Sequence, residues 1–75
     1  MNIDKLIKMA NHIGTFFEAW PDPAAARHEV ANHLRHFWDP RMRNALIAHV
    51  QSSGANSGLS TLVTEAVATL TGRPA

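Results

Sequence analysis

Apolar residues recur every three to four positions along most of this 75-residue chain, a spacing that places them on one side of an α-helix. The pattern predicts helices over about residues 3–20, 23–37, 40–52 and 60–71. The expected fold is therefore a small all-α, four-helix domain that occupies residues 1–75.

The first predicted helix carries more apolar surface than one packing face requires. A stripe only a little wider than about 100° is enough to face a core. Here Met9 and Phe16 widen the apolar side to roughly half of the circumference, and Trp20 extends it at the end of the helix. We therefore expect a second apolar face, which either the other helices enclose or another protein covers.

Proline residues divide the first half of the chain. The residue before a proline avoids the α region, so Pro21 ends the first helix, while Asp22 caps the second and Pro23 occupies its first turn. Asp39 and Pro40 repeat the device. Because almost no loop separates the second helix from the third, we predict a tight Asp-Pro elbow rather than an antiparallel hairpin.

The second half of the chain contains one loop and one further helix. Residues 52–58 are rich in serine and glycine, a composition typical of a loop. Ser60 is a suitable N-cap for the last helix, and Gly72 and Pro74 are expected to end it.

Composition excludes several functional classes. The chain has no cysteine, which rules out disulfides, metal–thiolate sites and thiol nucleophiles. A net charge of +1 is too small for the basic stripe of a typical nucleic-acid binder. No export signal is recognisable, and no apolar run approaches the roughly 20 residues that span a bilayer. We expect a cytoplasmic protein with no nucleic-acid or membrane partner.

The histidines do not predict a metal centre. His33 and His36 lie one turn apart, and Glu29 is the only acid near them on that helix face, whereas a zinc site needs three or four converging ligands. Gly54 and Gly58 lack the following lysine of a phosphate-binding loop, and no serine occupies a nucleophile-elbow turn. We therefore predict no catalytic, cofactor-binding or metal-binding residue, and no enzymatic activity.

The segment from residue 37 to residue 43 combines large aromatic side chains with arginines, the residue types most enriched in binding hot spots. Arg43 lies among apolar neighbours on the third helix, where an unpaired charge is costly. It should meet a carboxylate or a carbonyl, for which a partner chain is a natural source. Alternatively, Phe37, Trp38 and Met42 fill the core while Arg41 is solvated. The predicted partner-interface residues are Met9, Phe16, Trp20, Phe37, Trp38, Arg41, Met42 and Arg43.

Two sequence blocks carry a more specific signal. Residues 6–17 read LIKMANHIGTFF, and residues 33–43 read HLRHFWDPRMR. In order, spacing and total length they resemble the delta subunit of soluble, NAD-dependent, molybdenum- or tungsten-containing formate dehydrogenases. The resemblance runs from about residue 3 to residue 50 and weakens from Gln51 onward.

This resemblance implies a non-catalytic accessory subunit that stabilises or helps assemble a cytoplasmic formate dehydrogenase complex. Its expected partner is the catalytic alpha subunit. The bis-pterin molybdenum or tungsten cofactor, the iron–sulfur clusters and the flavin are implied for the larger subunits, and none for this chain.

Two other functions remain open from the residues alone. The spare face of the first helix could make a symmetric dimer, which would suit a self-associating helical adaptor. Short helices joined by an arginine-bearing elbow also resemble a helix-turn-helix, although the low net charge argues against a nucleic-acid-binding module.

Overall fold

The computed structural model describes residues 2–71, the side chain at position 55 excepted. This part of the chain contains four α-helices and no strand: α1 (Ile3–Phe17), α2 (Pro23–Phe37), α3 (Pro40–Ser53) and α4 (Thr61–Leu70). A short 3₁₀ turn, Gly54–Asn56, follows α3. The all-α prediction is confirmed.

The predicted caps form as expected. The carboxylate of Asp22 accepts a hydrogen bond from the backbone N–H of Ala24 at 3.0 Å, and that of Asp39 accepts from Met42 at 2.9 Å. The hydroxyl of Ser60 accepts from the N–H of residue 63 at 3.3 Å. Each side chain satisfies an N–H group that has no partner within its own helix.

The helix ends differ from the sequence-based bounds in two places. α1 ends at Phe17 rather than near residue 20, because Pro21 restricts the residue before it and the chain leaves the helix through a turn in which the N–H of Trp20 donates to Phe17 O. α3 continues to Ser53 and then tightens into the 3₁₀ turn. The predicted stop at Gly72 and Pro74 lies outside the described residues.

The core forms where α2 meets α4. The largest fully buried side chains are those of Val30, Leu34, Leu46, Val63 and Val67. α2 and α4 share the most extensive helix–helix contact, and α1 and α3 pack around them. Buried alanines on α1, α2 and α4 allow the helix backbones to approach closely: Ala10, Ala26, Ala31 and Ala66.

A polar contact fixes the long connection between α3 and α4 to α1. The side-chain amide of Asn11 donates to the carbonyl of Gly58 and accepts from the N–H of Ser60, both at 2.9 Å. From the other side, Nε2 of His49 lies 2.8 Å from the carbonyl of Ser57, a residue that is buried. These hydrogen bonds satisfy backbone groups that a loop against a core would otherwise leave unpaired.

At the elbow between α2 and α3, the side chain of Arg43 is hydrogen-bonded to backbone carbonyls of the same chain. Nη1 of Arg43 donates to the carbonyls of Trp38 at 2.7 Å, Arg35 at 3.1 Å and Leu34 at 3.3 Å. These carbonyls belong to the last turn of α2 and its C-cap, where a cation also complements the helix dipole. Arg43 does meet carbonyls, as its apolar surroundings predicted. The expectation that a partner supplies them is wrong.

Trp38 is also part of this elbow. Its side chain is only 5% exposed and packs in the core with Leu34 and Leu46. α2 and α3 make almost no contact along their lengths, and each packs on α1 and α4 instead. The link of two residues therefore does not fold α3 back along α2, and Trp38 fills the corner between the two helices.

We predict that Arg43→Ala lowers the free energy of unfolding by about 2 kcal/mol, because it removes a charged donor and leaves the final carbonyls of α2 without their partner. Arg43→Lys should recover only part of this loss, since an ammonium group cannot reproduce the position of the guanidinium. Urea denaturation of the full chain measures both.

The exposed neighbour Arg41 makes no such contact, so Arg41→Ala should change stability by less than about 0.5 kcal/mol. Equal losses for Arg41→Ala and Arg43→Ala would contradict this role.

We predict that Gly14→Ala is destabilising, although alanine normally favours a helix by about 1 kcal/mol over glycine. A methyl group at position 14 would lie 2.5 Å from Cγ2 of Val63, so α1 and α4 would have to separate. The expected net loss is about 1–2 kcal/mol. In a double-mutant cycle, Val63→Ala should make the Gly14→Ala change less costly than it is in the wild type. Additive effects would show that the close approach of the two helices is not limiting.

Candidate functional site

Three of the four large exposed apolar side chains of the described residues lie on α1 and at the end of α2. Phe16 is 71% exposed and Phe37 is 75% exposed, whereas Met9 is 39% exposed. Half-buried Ile13, Phe17 and His33 lie between or beside them. We call these six residues the α1–α2 aromatic surface.

Two adjoining hollows lie on this surface. One hollow of about 370 Å³ is lined by apolar atoms of Ile13, Phe16 and Phe17, with His12 and His33 at its sides. A second hollow of about 190 Å³ adjoins it and shares Phe17 and His33 with the first. Together they form an open groove between α1 and α2.

Ring contacts hold the aromatic side chains in place. The rings of Phe16 and Phe17 meet edge to face, with centroids 5.0 Å apart, and the imidazole of His33 lies 4.7 Å from the ring of Phe37. Phe17 in turn contacts Trp20 at 5.3 Å. Because such pairs contribute about 0.5–1.5 kcal/mol, the exposed phenylalanines are presented in defined positions by a half-buried neighbour.

Trp20 contacts Phe17 but lies beyond the end of α1, off the helical stripe that carries Met9 and Phe16. It is 41% exposed and lines an open groove at the start of α2 and α4, together with Pro23 and Leu62. Its displacement follows from the early end of α1, which places residue 20 in a turn rather than on the helical stripe.

The structure divides the predicted interface residues into three groups. Met9, Phe16, Trp20, Phe37 and Arg41 are exposed, and Met42 is half-buried against the core. Trp38 is buried, and Arg43 is engaged at the end of α2, so neither is available for a partner in this structure. Their assignment to a binding surface is corrected for this reason.

Sequence reasoning missed the contribution of His33 and Phe17 to this surface. Neither residue was among the predicted partner-interface residues. The four-residue spacing of His33 and Phe37 on one helix face was the available signal for their contact.

The described residues supply no obvious set of metal ligands or catalytic groups. Within residues 2–71, no three histidine, aspartate or glutamate side chains converge. Ser53 Oγ lies 3.5 Å from Nδ1 of His49, which is too long for an activated serine–histidine pair. The hollow beside Phe16 is lined almost entirely by apolar atoms, which gives this surface the chemical character of an apolar contact surface.

None of the helices in residues 2–71 combines the length and the apolarity that a bilayer crossing requires.

Comparison with known proteins gives a specific family. The model of the NADH-dependent formate dehydrogenase delta subunit, FdsD, matches residues 5–67. The match includes both sequence blocks, the elbow and most of α4, and so extends beyond the region of evident resemblance. No curated protein and no solved structure matches the chain. Because the family model covers most of the 75 residues, the chain belongs to the delta subunit family of NADH-dependent formate dehydrogenases.

Proposed function

We propose that this chain is a non-catalytic accessory subunit that stabilises or helps assemble a cytoplasmic NAD-dependent formate dehydrogenase. It does so by binding the catalytic alpha subunit through the α1–α2 aromatic surface. The observation that supports this most directly is the exposure of Phe16 and Phe37, at 71% and 75%, next to an apolar hollow.

Removing Phe16 and Phe37 from water favours binding to a partner. Each large aromatic ring presents on the order of 150–250 Å² of apolar area, and removing apolar area from water contributes about 25 cal/mol per Å². Aromatic side chains that are exposed yet held in place also lose little conformational freedom on binding. Phe16 and Phe37 thus have the properties of binding anchors.

The same proposal places the redox chemistry in the partner subunits. The chain contains no cysteine with which to hold an iron–sulfur cluster. We propose that the bis-pterin molybdenum or tungsten cofactor, the iron–sulfur clusters and the flavin are bound by the larger subunits. The contribution of this chain is then to cover or clamp a surface of the complex.

The α1–α2 aromatic surface also favours a second candidate, the self-associating helical adaptor. Two copies could bury Phe16 and Phe37 against each other in a symmetric contact. The mass of the isolated chain over a range of concentrations separates the candidates: the accessory subunit should stay monomeric without its partner, whereas the adaptor should dimerise.

We predict that Phe16→Ala combined with Phe37→Ala weakens binding to the catalytic alpha subunit at least about 100-fold, since each truncation removes an anchor of the hot-spot type. The effect should appear mainly as faster dissociation. Co-expression followed by size exclusion, and binding kinetics with the purified subunits, measure it. The isolated variant should lose only the ring contacts with Phe17 and His33, about 0.5–1.5 kcal/mol each, so it should still fold, with a moderately lower melting temperature.

His28 provides a matched control, because it is exposed on α2 outside the aromatic surface. His28→Ala should bind the alpha subunit like the wild type. If the wild-type chain and the alpha subunit never co-elute, the proposed function is wrong. If they co-elute and the double phenylalanine variant binds normally, the subunit role stands and a different surface is used.

A further inference from the structure

A row of basic side chains borders the aromatic surface along α1. Lys5, Lys8 and His12 follow one another at intervals of three and four residues, and all three are exposed. Met9 lies four residues after Lys5, and Phe16 lies four residues after His12. The two lysines, with His12 next to them, and the exposed apolar side chains therefore occupy neighbouring stripes of the same helix.

The two lysines are available for an external partner. Among residues 2–71, the single ion pair within 4.0 Å joins Arg27 to Glu65, on α2 and α4. Asp4 lies one turn before Lys8, but the two side chains do not approach within that distance. The only carboxylate in the groove itself is that of Glu29, on the α2 side of the second hollow. The α1 side of the surface is thus basic and unpaired.

The size of the apolar patch limits what can cover it. Its exposed aromatic rings and thioether offer on the order of 400 Å² of apolar area, whereas a stable interface buries about 800 Å² on each partner. An interface here must extend over the polar border of the patch, and the Lys5–Lys8–His12 row is its border along α1.

These charges do not suit a second copy of the chain. A symmetric dimer pairs a surface with itself, so Lys5 and Lys8 would meet a surface that carries the same lysines and, in its groove, only Glu29 as an acid. A partner with carboxylates beside apolar side chains complements both stripes at once.

We propose that the segment of the catalytic alpha subunit that covers the α1–α2 aromatic surface is acidic and amphipathic. Its apolar side chains occupy the hollow beside Phe16, and its carboxylates face Lys5 and Lys8. This inference rests on the proposed function and specifies the chemistry of the partner surface.

The test is the binding kinetics of the full chain on the immobilised alpha subunit at about 50 and about 300 mM salt. Charges at the border of an interface act mainly on the association rate. Lys8→Glu should therefore slow association about 5- to 20-fold at low salt and reduce the salt dependence, with little change in dissociation. Lys8→Arg should behave like the wild type.

Arg35→Glu is the matched control, because it makes the same change in net charge at an exposed position of α2, on the face opposite Phe37. It should slow association less than about twofold. Equal slowing by Lys8→Glu and Arg35→Glu would overturn the inference, because the effect would then follow net charge alone. Faster association of Lys8→Glu would also overturn it, since the partner surface would be basic.

Two further measurements test whether a second copy of the chain or a membrane surface, rather than the alpha subunit, covers the α1–α2 aromatic surface. A dimer of the isolated chain that Phe16→Ala dissociates would overturn the inference in favour of self-association. The inference would also be overturned if the chain bound phosphatidylserine vesicles but not the alpha subunit, and if Lys8→Glu abolished that vesicle binding. In a third outcome, the alpha subunit binds the chain, Phe16→Ala weakens this binding, and Lys8→Glu leaves it unchanged. The proposed function would then survive, and only the acidic character of the partner surface would be wrong.

Discussion

The packing of α4 onto α2 decides which apolar surface of this chain remains open. The apolar stripe of α2 is covered mainly by α4, through buried residues such as Val30, Leu34, Val63 and Val67. α4 has only ten residues, and it approaches α1 closely where Gly14 meets Val63. Nothing in residues 2–71 then covers Phe16 and Phe37, so the exposed aromatic groove follows from how four short helices share one core.

The elbow makes this arrangement rigid at the end of α2. Arg43 binds the final carbonyls of that helix, and Trp38 fills the corner beneath it. Phe37, which immediately precedes the corner, is therefore presented from a helix end that is capped and anchored. The aromatic and basic residues of the elbow thus have two purposes. Trp38 and Arg43 stabilise the fold, while the exposed Phe37 is available for the contact that we propose.

Membership of the formate dehydrogenase delta family gives the open surface a biological context. A domain of 75 residues buries a smaller share of its surface than a larger one, and association with a large subunit offsets part of that deficit. In the proposed role, the stability of the accessory subunit and the integrity of the complex would be linked, because docking stabilises the folded chain by mass action. The physical character of the groove and the family assignment support the same interpretation independently.

The sequence by itself determined the number of helices, the N-caps of α2, α3 and α4, and the position of the elbow. These features depend on local chemistry: Asp22, Asp39 and Ser60 accept hydrogen bonds from residues two or three positions away, and proline restricts its immediate neighbour. The excess apolar surface of α1 was also readable, since helical periodicity alone reveals a stripe that is too wide.

Only the tertiary structure decided which aromatic side chains are buried. Phe37 and Trp38 are adjacent in the chain, yet one is 75% exposed and the other 5%, because α2 ends at Phe37 and the extended backbone of its C-cap turns the next side chain into the core. The partner of Arg43 was likewise undetermined, because its acceptors become neighbours only when α3 folds across the end of α2.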